Sequence, residues 1–325
     1  MPKRATIYDV AKEAGVSIST VSLAINHPQR VNEATRRVVI DTAVRLGYRG
    51  ATPASAGRRV AVAAPFSAYP SYYTRLTGIL AASVTAGIEV IVHDLPSTAA
   101  EDAPVLDALP VKANIDGIIV MGAPLSGQAT RTESLPGPPV VLVDVPDGAR
   151  HHPGVPSVLI DDRRGGALIG EHLAGRGHRK VAFVHETQRS TDYLSAGMLR
   201  AQGLADHLTC VDVPVNDPTA PWPELSSAME DERITAVVAN HDRLAAALHG
   251  PLSTIAERPM ALAGYDGSEL AAALGLTTVW QPFEESGRAA MGLLTQLING
   301  EHAHLNSMSL TPRLVARAST AGAVH

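Results

Sequence analysis

The sequence predicts a small all-α head at the N-terminus followed by a larger, two-lobed α/β body. Three observations predict it. The first 59 residues carry ten Lys/Arg against four Asp/Glu, while the remainder carries 17 against 28. Apolar residues in the first 48 positions recur at helical spacing, whereas beyond residue 60 they gather into short solid runs. Between the two regimes, residues 49–59 (RGATPASAGRR) consist largely of Gly, Pro and small residues, the composition of a linker.

The head accommodates three short helices. Thr6 is placed to cap the first, with Ile7, Val10, Ala11 and Ala14 on one face and Gly15 at the turn. Ser17 is placed to cap the second, which turns Val21, Ala24 and Ile25 inward and breaks at His27–Pro28. Asn32 opens the third, whose inner stripe is Val39, Ile40, Ala43 and Leu46, and Gly47 closes it. Ala11, Gly15 and Val21 fit a helix-turn-helix. A small residue lets the second helix approach, glycine tolerates a positive φ in the turn, and an aliphatic residue locks the helices together. The competing reading is an ordinary helical bundle.

In the body, Val60–Ala64, Ile88–Val92, Ile115–Met121, Val140–Val143, Val181–Val184, Ala236–Ala239 and Ala261–Ala263 have the solid apolar character of buried strands, mostly separated by helical segments. That alternation predicts parallel sheets covered on both faces. About 265 residues are too many for one such sheet, so two doubly wound lobes are expected, and no repeat of fixed period is evident.

Composition excludes several classes. The net charge is −5 but the head is locally +6, so the head is the part suited to a polyanion. Cys210 is the single cysteine, so no intrachain disulfide forms. No segment offers the apolar length of a membrane span, and Asp9, Lys12 and Glu13 interrupt any N-terminal signal pattern. A soluble, cytoplasmic protein is expected. The G-x-S-x-G elbow, the G-x-x-x-x-G-K-[ST] loop and the G-x-G-x-x-G fingerprint are all missing, and RRGGALIG lacks their spacing. His172 and His178 have no second pair with which to hold zinc, and His178 in its GH-R/K turn reads as structural. His151 and His152 read as solvated. Neither an enzyme, nor a metal, nor a cofactor is expected.

The stretch TIYDVAKEAGVSISTVSLAINHPQRVNEATRRVVIDTAVRLGY resembles the DNA-binding head of the lactose-repressor (LacI/GalR) family. The body segments NIDGIIVMGAP, PPVVLVDVP, VLIDDRRGGALIGEHLAGRGHRKVAFV, ITAVVANHDRLAAAL, ALAGYDGSEL, LTTVWQPFEESGRAAMGLL and LTPRLVARAST resemble that family in order. The resemblance implies residues 1–48 as the helix-turn-helix domain, 49–59 as a hinge, and 60–325 as a type I periplasmic-binding-protein-like body for effector binding and dimerisation. The N-lobe is expected at about 60–157 and 283–312, the C-lobe at about 158–282 and 313–325.

The resemblance further implies that the second helix enters the major groove of double-stranded operator DNA. Ser17, Ile18, Ser19, Thr20, Ser22, Leu23 and Asn26 are then the reading positions, with Thr6, Tyr8 and Tyr48 alongside. Ser and Thr hydroxyls suit phosphates or bases, and Ile18 suits a thymine methyl. Relatives carry a long polar side chain at Leu23, so either the operator differs there or the contact is apolar. Relatives also have proline and a wedging leucine where this chain has Gly50 and Gly57, which argues against the usual minor-groove hinge. Pro53 offers another geometry, and Arg58 and Arg59 remain for phosphates.

For the body, the resemblance implies a small effector, a sugar or related metabolite, held between the lobes at the carboxyl ends of strands. Ser71, Tyr72, Asp144, His241, Asp242, Asp266 and Gln281 fall at such places. Asp242 and Asp266 alternatively cap helices. Relatives that bind sugars or purines often carry Arg three residues before the glycine aligned with Gly197. Here that residue is Leu194, with Arg189 or Arg200 as substitutes. The stretch 185–215 is shortened, so an unusual effector, or none, is the alternative. The expectation is a homodimeric repressor under effector control, reading two half-sites. The runner-up is a cytoplasmic ligand-binding protein whose head binds DNA weakly or without sequence preference.

Overall fold

The computed structural model describes residues 5–48, 57–95, 108–109, 115–122, 138–146, 154–187, 194–217, 222–301 and 307–321. The head consists of α1 (Ile7–Ala14), α2 (Ile18–Asn26) and α3 (Glu33–Arg45). Each starts on a side-chain cap. Thr6 Oγ1 accepts from Asp9 N, and Asp9 reaches back to Thr6 N at 2.8 Å, a reciprocal capping box. Ser17 caps α2 and Asn32 caps α3. Gly15 takes φ +67° in the turn, the left-handed conformation the sequence required of it. Val10, Ala11, Val21, Ala24, Ile25, Val39, Ile40 and Ala43 form the head's core, and Tyr48 joins them.

The chain divides into two compact units, residues 1–159 with 283–308 and residues 160–282 with 309–325. Among the described residues the first contains β1 (Arg59–Ala64), α4 (Ser71–Ala86), β2 (Glu89–Asp94), β3 (Gly117–Met121), β4 (Val140–Val143) and most of β5 (Ser157–Ile160). These strands lie in the order β2-β1-β3-β4-β5, and every pairing among them is parallel. Strand order reverses at β1, so the topological switch point lies beside β1 and β3. β1, β3 and β4 are buried almost throughout, as their solid apolar runs demanded.

The second unit repeats the plan. It contains α5 (Asp162–Ala174), β6 (Lys180–Glu186), α6 (Ala196–Ala205), β7 (Thr209–Val215), α7 (Trp222–Met229), β8 (Ile234–Ala239), α8 (Asp242–His249), α9 (Leu252–Ala256), β9 (Ala261–Ala263), α10 (Glu269–Ala273) and β10 (Thr278–Trp280). Its parallel sheet runs β7-β6-β8-β9, with the switch point beside β6 and β8. The chain then returns through α11 (Phe283–Ile298) in the first unit. β11 (Met308–Leu310) joins the first unit's sheet beside β5, and β12 (Arg313–Val315) pairs antiparallel with β10. Arg59 is the first residue of β1, so the linker closes one residue earlier than its composition suggested.

Candidate functional site

The head presents α2 outward. Its inward residues Val21, Ala24 and Ile25 are consumed by the core, leaving Ile18, Ser19, Leu23 and Asn26 exposed and Ser22 half-buried. Ser17 Oγ accepts from Thr20 N at 3.0 Å and is bonded to the hydroxyls of Ser19 at 2.7 Å and Thr20 at 2.8 Å. Asn26 Nδ2 donates to Ser22 Oγ at 3.3 Å. Tyr8 is largely exposed. Thr6 is engaged in its capping box.

Three residues assigned to DNA from the sequence are placed elsewhere. Tyr48 is buried in the head's core, where its ring completes the packing under α3. Arg59 starts β1. Its Nε donates to Glu89 at 2.5 Å and its backbone N–H to Asp116 at 2.9 Å, which ties it to the neighbouring strands. Arg58 donates to the Asn299 side chain at 2.6 Å. Both arginines belong to the start of the body. Gly57 is open, with no atom within 4 Å of a Cβ built there, whereas Gly50 and Pro53 lie outside the described residues.

At the switch point of the first unit, Ser71 opens α4 and Tyr72 follows. The Tyr72 hydroxyl lies over Gly122, immediately after β3, where a Cβ would fall 1.7 Å from it. Asp144, immediately after β4, adopts φ +54° and forms an ion pair with Arg75. Arg75 is almost wholly buried. It lies 4.0 Å over the Phe283 ring and 5.2 Å over Tyr72, and its NH1 donates to Ser71 O at 3.3 Å. Its Nε–H has no partner among the described residues. Arg75 went unnoticed in the sequence. Its signal is a single cation on the inner, otherwise small or apolar face of α4, beside Gly78, Ile79 and Ser83.

At the switch point of the second unit, polar side chains join into one chain of bonds. Arg200 Nε donates to Asp162 at 2.8 Å, and its NH1 donates to both Asn240 O at 2.7 Å and Asn240 Oδ1 at 3.1 Å. The guanidinium stacks 3.9 Å over Tyr265. His241 caps α8 by accepting Leu244 N–H on Nδ1 at 3.1 Å, which places its proton on Nε2, donated to Glu186 at the end of β6. Burial pushes the Glu186 carboxyl up, but bonds from His241 and Asn240 prevail and bring it to about 2. Of the two arginines the sequence offered as substitutes, Arg200 stands at this switch point and Arg189 lies outside the described residues.

The glycines at the crossing of α5 and α6 are Gly166 and Gly203. A Cβ at Gly203 would fall 1.9 Å from Arg163 O, and one at Gly166 2.0 Å from Arg200 O. The backbones of α5 and α6 touch there, and Gly203 stands three residues after Arg200. Gly197 faces only the Asn240 side chain, at 3.2 Å.

Asp242 is corrected to a brace. It is buried, accepting from Thr278 Oγ1 and from Ser268 N, each at 2.7 Å, and burial raises its carboxyl above the usual range. The helix cap is His241 rather than Asp242. Gln281 is likewise buried, donating to Asp266 Oδ1 at 2.9 Å, while Asp266 itself stands at φ +121°. His178 is buried against Thr235 Oγ1 at 2.8 Å, a structural contact. Among the described residues no group of three His, Cys, Asp or Glu could hold a metal, and no helix is long and apolar enough to cross a membrane.

A helix-turn-helix head carried on a doubly wound, two-unit body defines a DNA-binding domain joined to a periplasmic-binding-protein-like domain. Residues 6–50 match the profile described as bacterial regulatory proteins, lacI family, and residues 171–320 match the periplasmic binding protein-like domain. The chain thus joins a LacI-family DNA-binding domain to a periplasmic-binding-protein-like domain. Catabolite control protein A of Priestia megaterium is 27% identical to it, over 97% of this chain and 99% of its own length. The HTH-type transcriptional repressor CytR of Escherichia coli (strain K12) is 26% identical, over 97% and 96% respectively. Among solved structures, a complex of the transcriptional regulator CelR with cellobiose is similar at TM-score 0.66 and 26% identity, covering 97% of this chain and 100% of that one.

Proposed function

We propose that the chain is a sequence-specific transcriptional repressor whose operator affinity is set by a small polyhydroxylated effector. The observation that carries this reading is the second unit's switch point. There Asp162, Arg200, Asn240, Glu186 and His241 form a continuous bonded row at the carboxyl edge of the sheet, where open α/β sheets take ligands. Donors and acceptors alternate along the row, which suits hydroxyl groups, each both donor and acceptor. Asp266, held by Gln281, extends the same edge, and Ser71, Tyr72 and Asp144 are the corresponding residues of the first unit. CytR and the CelR–cellobiose complex support the two halves of the reading, repression and sugar binding.

The protein works as a homodimer in the cytoplasm and without catalysis. On α4, Tyr73, Leu80 and Val84 leave a stripe of large apolar groups exposed, Val84 by 80%, and Val92 on the edge strand β2 continues it. A second copy covers this stripe and supplies the second head that a pseudo-palindromic operator needs.

Selection of duplexes from a random pool by the full chain, with and without a panel of mono- and disaccharides, tests the proposal. A two-fold symmetric motif whose recovery changes with one sugar is expected. A runner-up is supported by Arg58 and Arg59 being drawn into the body: a ligand-binding protein with a non-specific head. Salt-dependent binding with no enriched motif would favour it.

A further inference from the structure

We propose that the head reads its half-site through the methyl groups of thymine, with Leu23 and Ile18 as the specificity-determining contacts. The inference deepens the repressor reading and rests on it. α2 (ISTVSLAIN) has no charged residue in either its first or its last turn, and none between. Reading guanine in the major groove takes Arg or Lys on O6 and N7, and α2 supplies neither. Reading adenine takes a bidentate Asn or Gln. The one amide on the helix is Asn26, at its last residue and bonded to Ser22 Oγ, whereas base edges are met from the helix's N-terminal part. The hydroxyls of the first turn are bonded to one another around Ser17. The exposed side chains of α2 that are not already engaged within the helix are therefore the apolar ones, Ile18 and Leu23.

Two apolar side chains are held out from the head's core. Ile18 is 41% exposed at the first position of α2, and Leu23 is 37% exposed in its middle. Leu23 lies one turn after Ser19 and three residues before Asn26, on the arc opposite Val21 and Ile25. An isobutyl and a sec-butyl group gain nothing from a base's polar edge, and leave it without its hydrogen bonds. Against the thymine C5-methyl they bury apolar surface on both sides.

The test begins with the motif recovered from the random pool by the full chain. Each thymine of the half-site is then replaced, one at a time, by deoxyuridine, which removes the methyl and leaves the Watson–Crick edge intact. At one or two positions the wild-type chain should bind about fourfold more weakly per methyl, the worth of one buried carbon. Leu23→Ala should bind the parent duplex more weakly and be indifferent to deoxyuridine at one of those positions. Leu23→Arg should move the preference there toward G·C. Deoxyuridine without effect at every position would overturn the inference, as would equal sensitivity in the wild type, Leu23→Ala and Ile18→Ala. Recovery of no motif would overturn the underlying repressor reading instead, so the two failures are distinguishable.

Discussion

The two units of the body solve one problem twice, with different ends. In each, the fifth residue of the helix after the first strand is an arginine: Arg75 on α4 and Arg200 on α6. Each pairs with an aspartate, Asp144 or Asp162, and lies flat on an aromatic ring, Phe283 at 4.0 Å or Tyr265 at 3.9 Å. Each precedes by three residues a glycine, Gly78 or Gly203, whose Cβ would fall 1.9 Å from a backbone oxygen of the packed helix. The contact is reciprocated by Gly287 at Arg75 O and Gly166 at Arg200 O. No repeat was visible in the sequence because the shared element is only Arg-x-x-Gly, 125 residues apart, with unrelated residues between.

The difference lies in what surrounds the pair. Arg75 is sealed between two rings, and the Tyr72 hydroxyl fills the space above Gly122. Arg200 keeps its edge on Asn240, from which bonds run on to Glu186 and His241. The first unit has filled its switch point with its own side chains, and the second has left a row of polar groups there. The hydrogen-bonding groups left at a switch point are accordingly concentrated in the second unit.

The largest effect that would break this parallel is at the deeper arginine. Arg75→Met leaves Asp144 buried without its counter-charge, and should cost about 3–5 kcal/mol in urea unfolding. Arg200→Met should cost less, because Asp162 sits in the first turn of α5, where the helix dipole favours negative charge. Equal losses would refute the distinction. Next, Gly78→Ala and Gly203→Ala should each destabilise by about 1–3 kcal/mol through overpacking at a backbone contact. A large loss at one and none at the other would show that the two crossings are not equivalent.

A third measurement sharpens the account of the polar row. Glu186 titrates at about 2 in the folded chain, below its ordinary 4.5. Its contribution to stability is complete above about pH 4.5 and is lost as pH falls toward 2. Glu186→Gln should flatten the stability profile in that window and leave it parallel to wild type above it. The smallest expected effect is in the head, where Thr6→Ala removes the capping box at a cost of about 1 kcal/mol. It should lower the head's melting temperature without altering effector binding.

Much of the fold was legible because it is written locally. Thr6, Ser17 and Asn32 announce helix starts within three residues of the groups they cap, Gly15 marks its turn, and solid runs such as Val140–Val143 can only be buried. The candidate site was less legible, since its bonds join distant positions. Nothing near Asp144 points to Arg75, and nothing near Asp242 points to Thr278. Tyr48 read as a DNA contact because its position in the motif was visible and its inward rotation was not. Arg58 and Arg59 read as free cations because Asn299 and Glu89 are remote in sequence.

Those misplaced residues carry a mechanical consequence. Tyr48 anchors one end of the connection to the head's interior, and the bond from Arg58 to Asn299 anchors the other to the body. Arg58 is ten residues beyond Tyr48, so even drawn taut the tether spans no more than about 35 Å. Ten peptide units therefore bound how far the head can lie from the first strand of the body, whatever conformation they take.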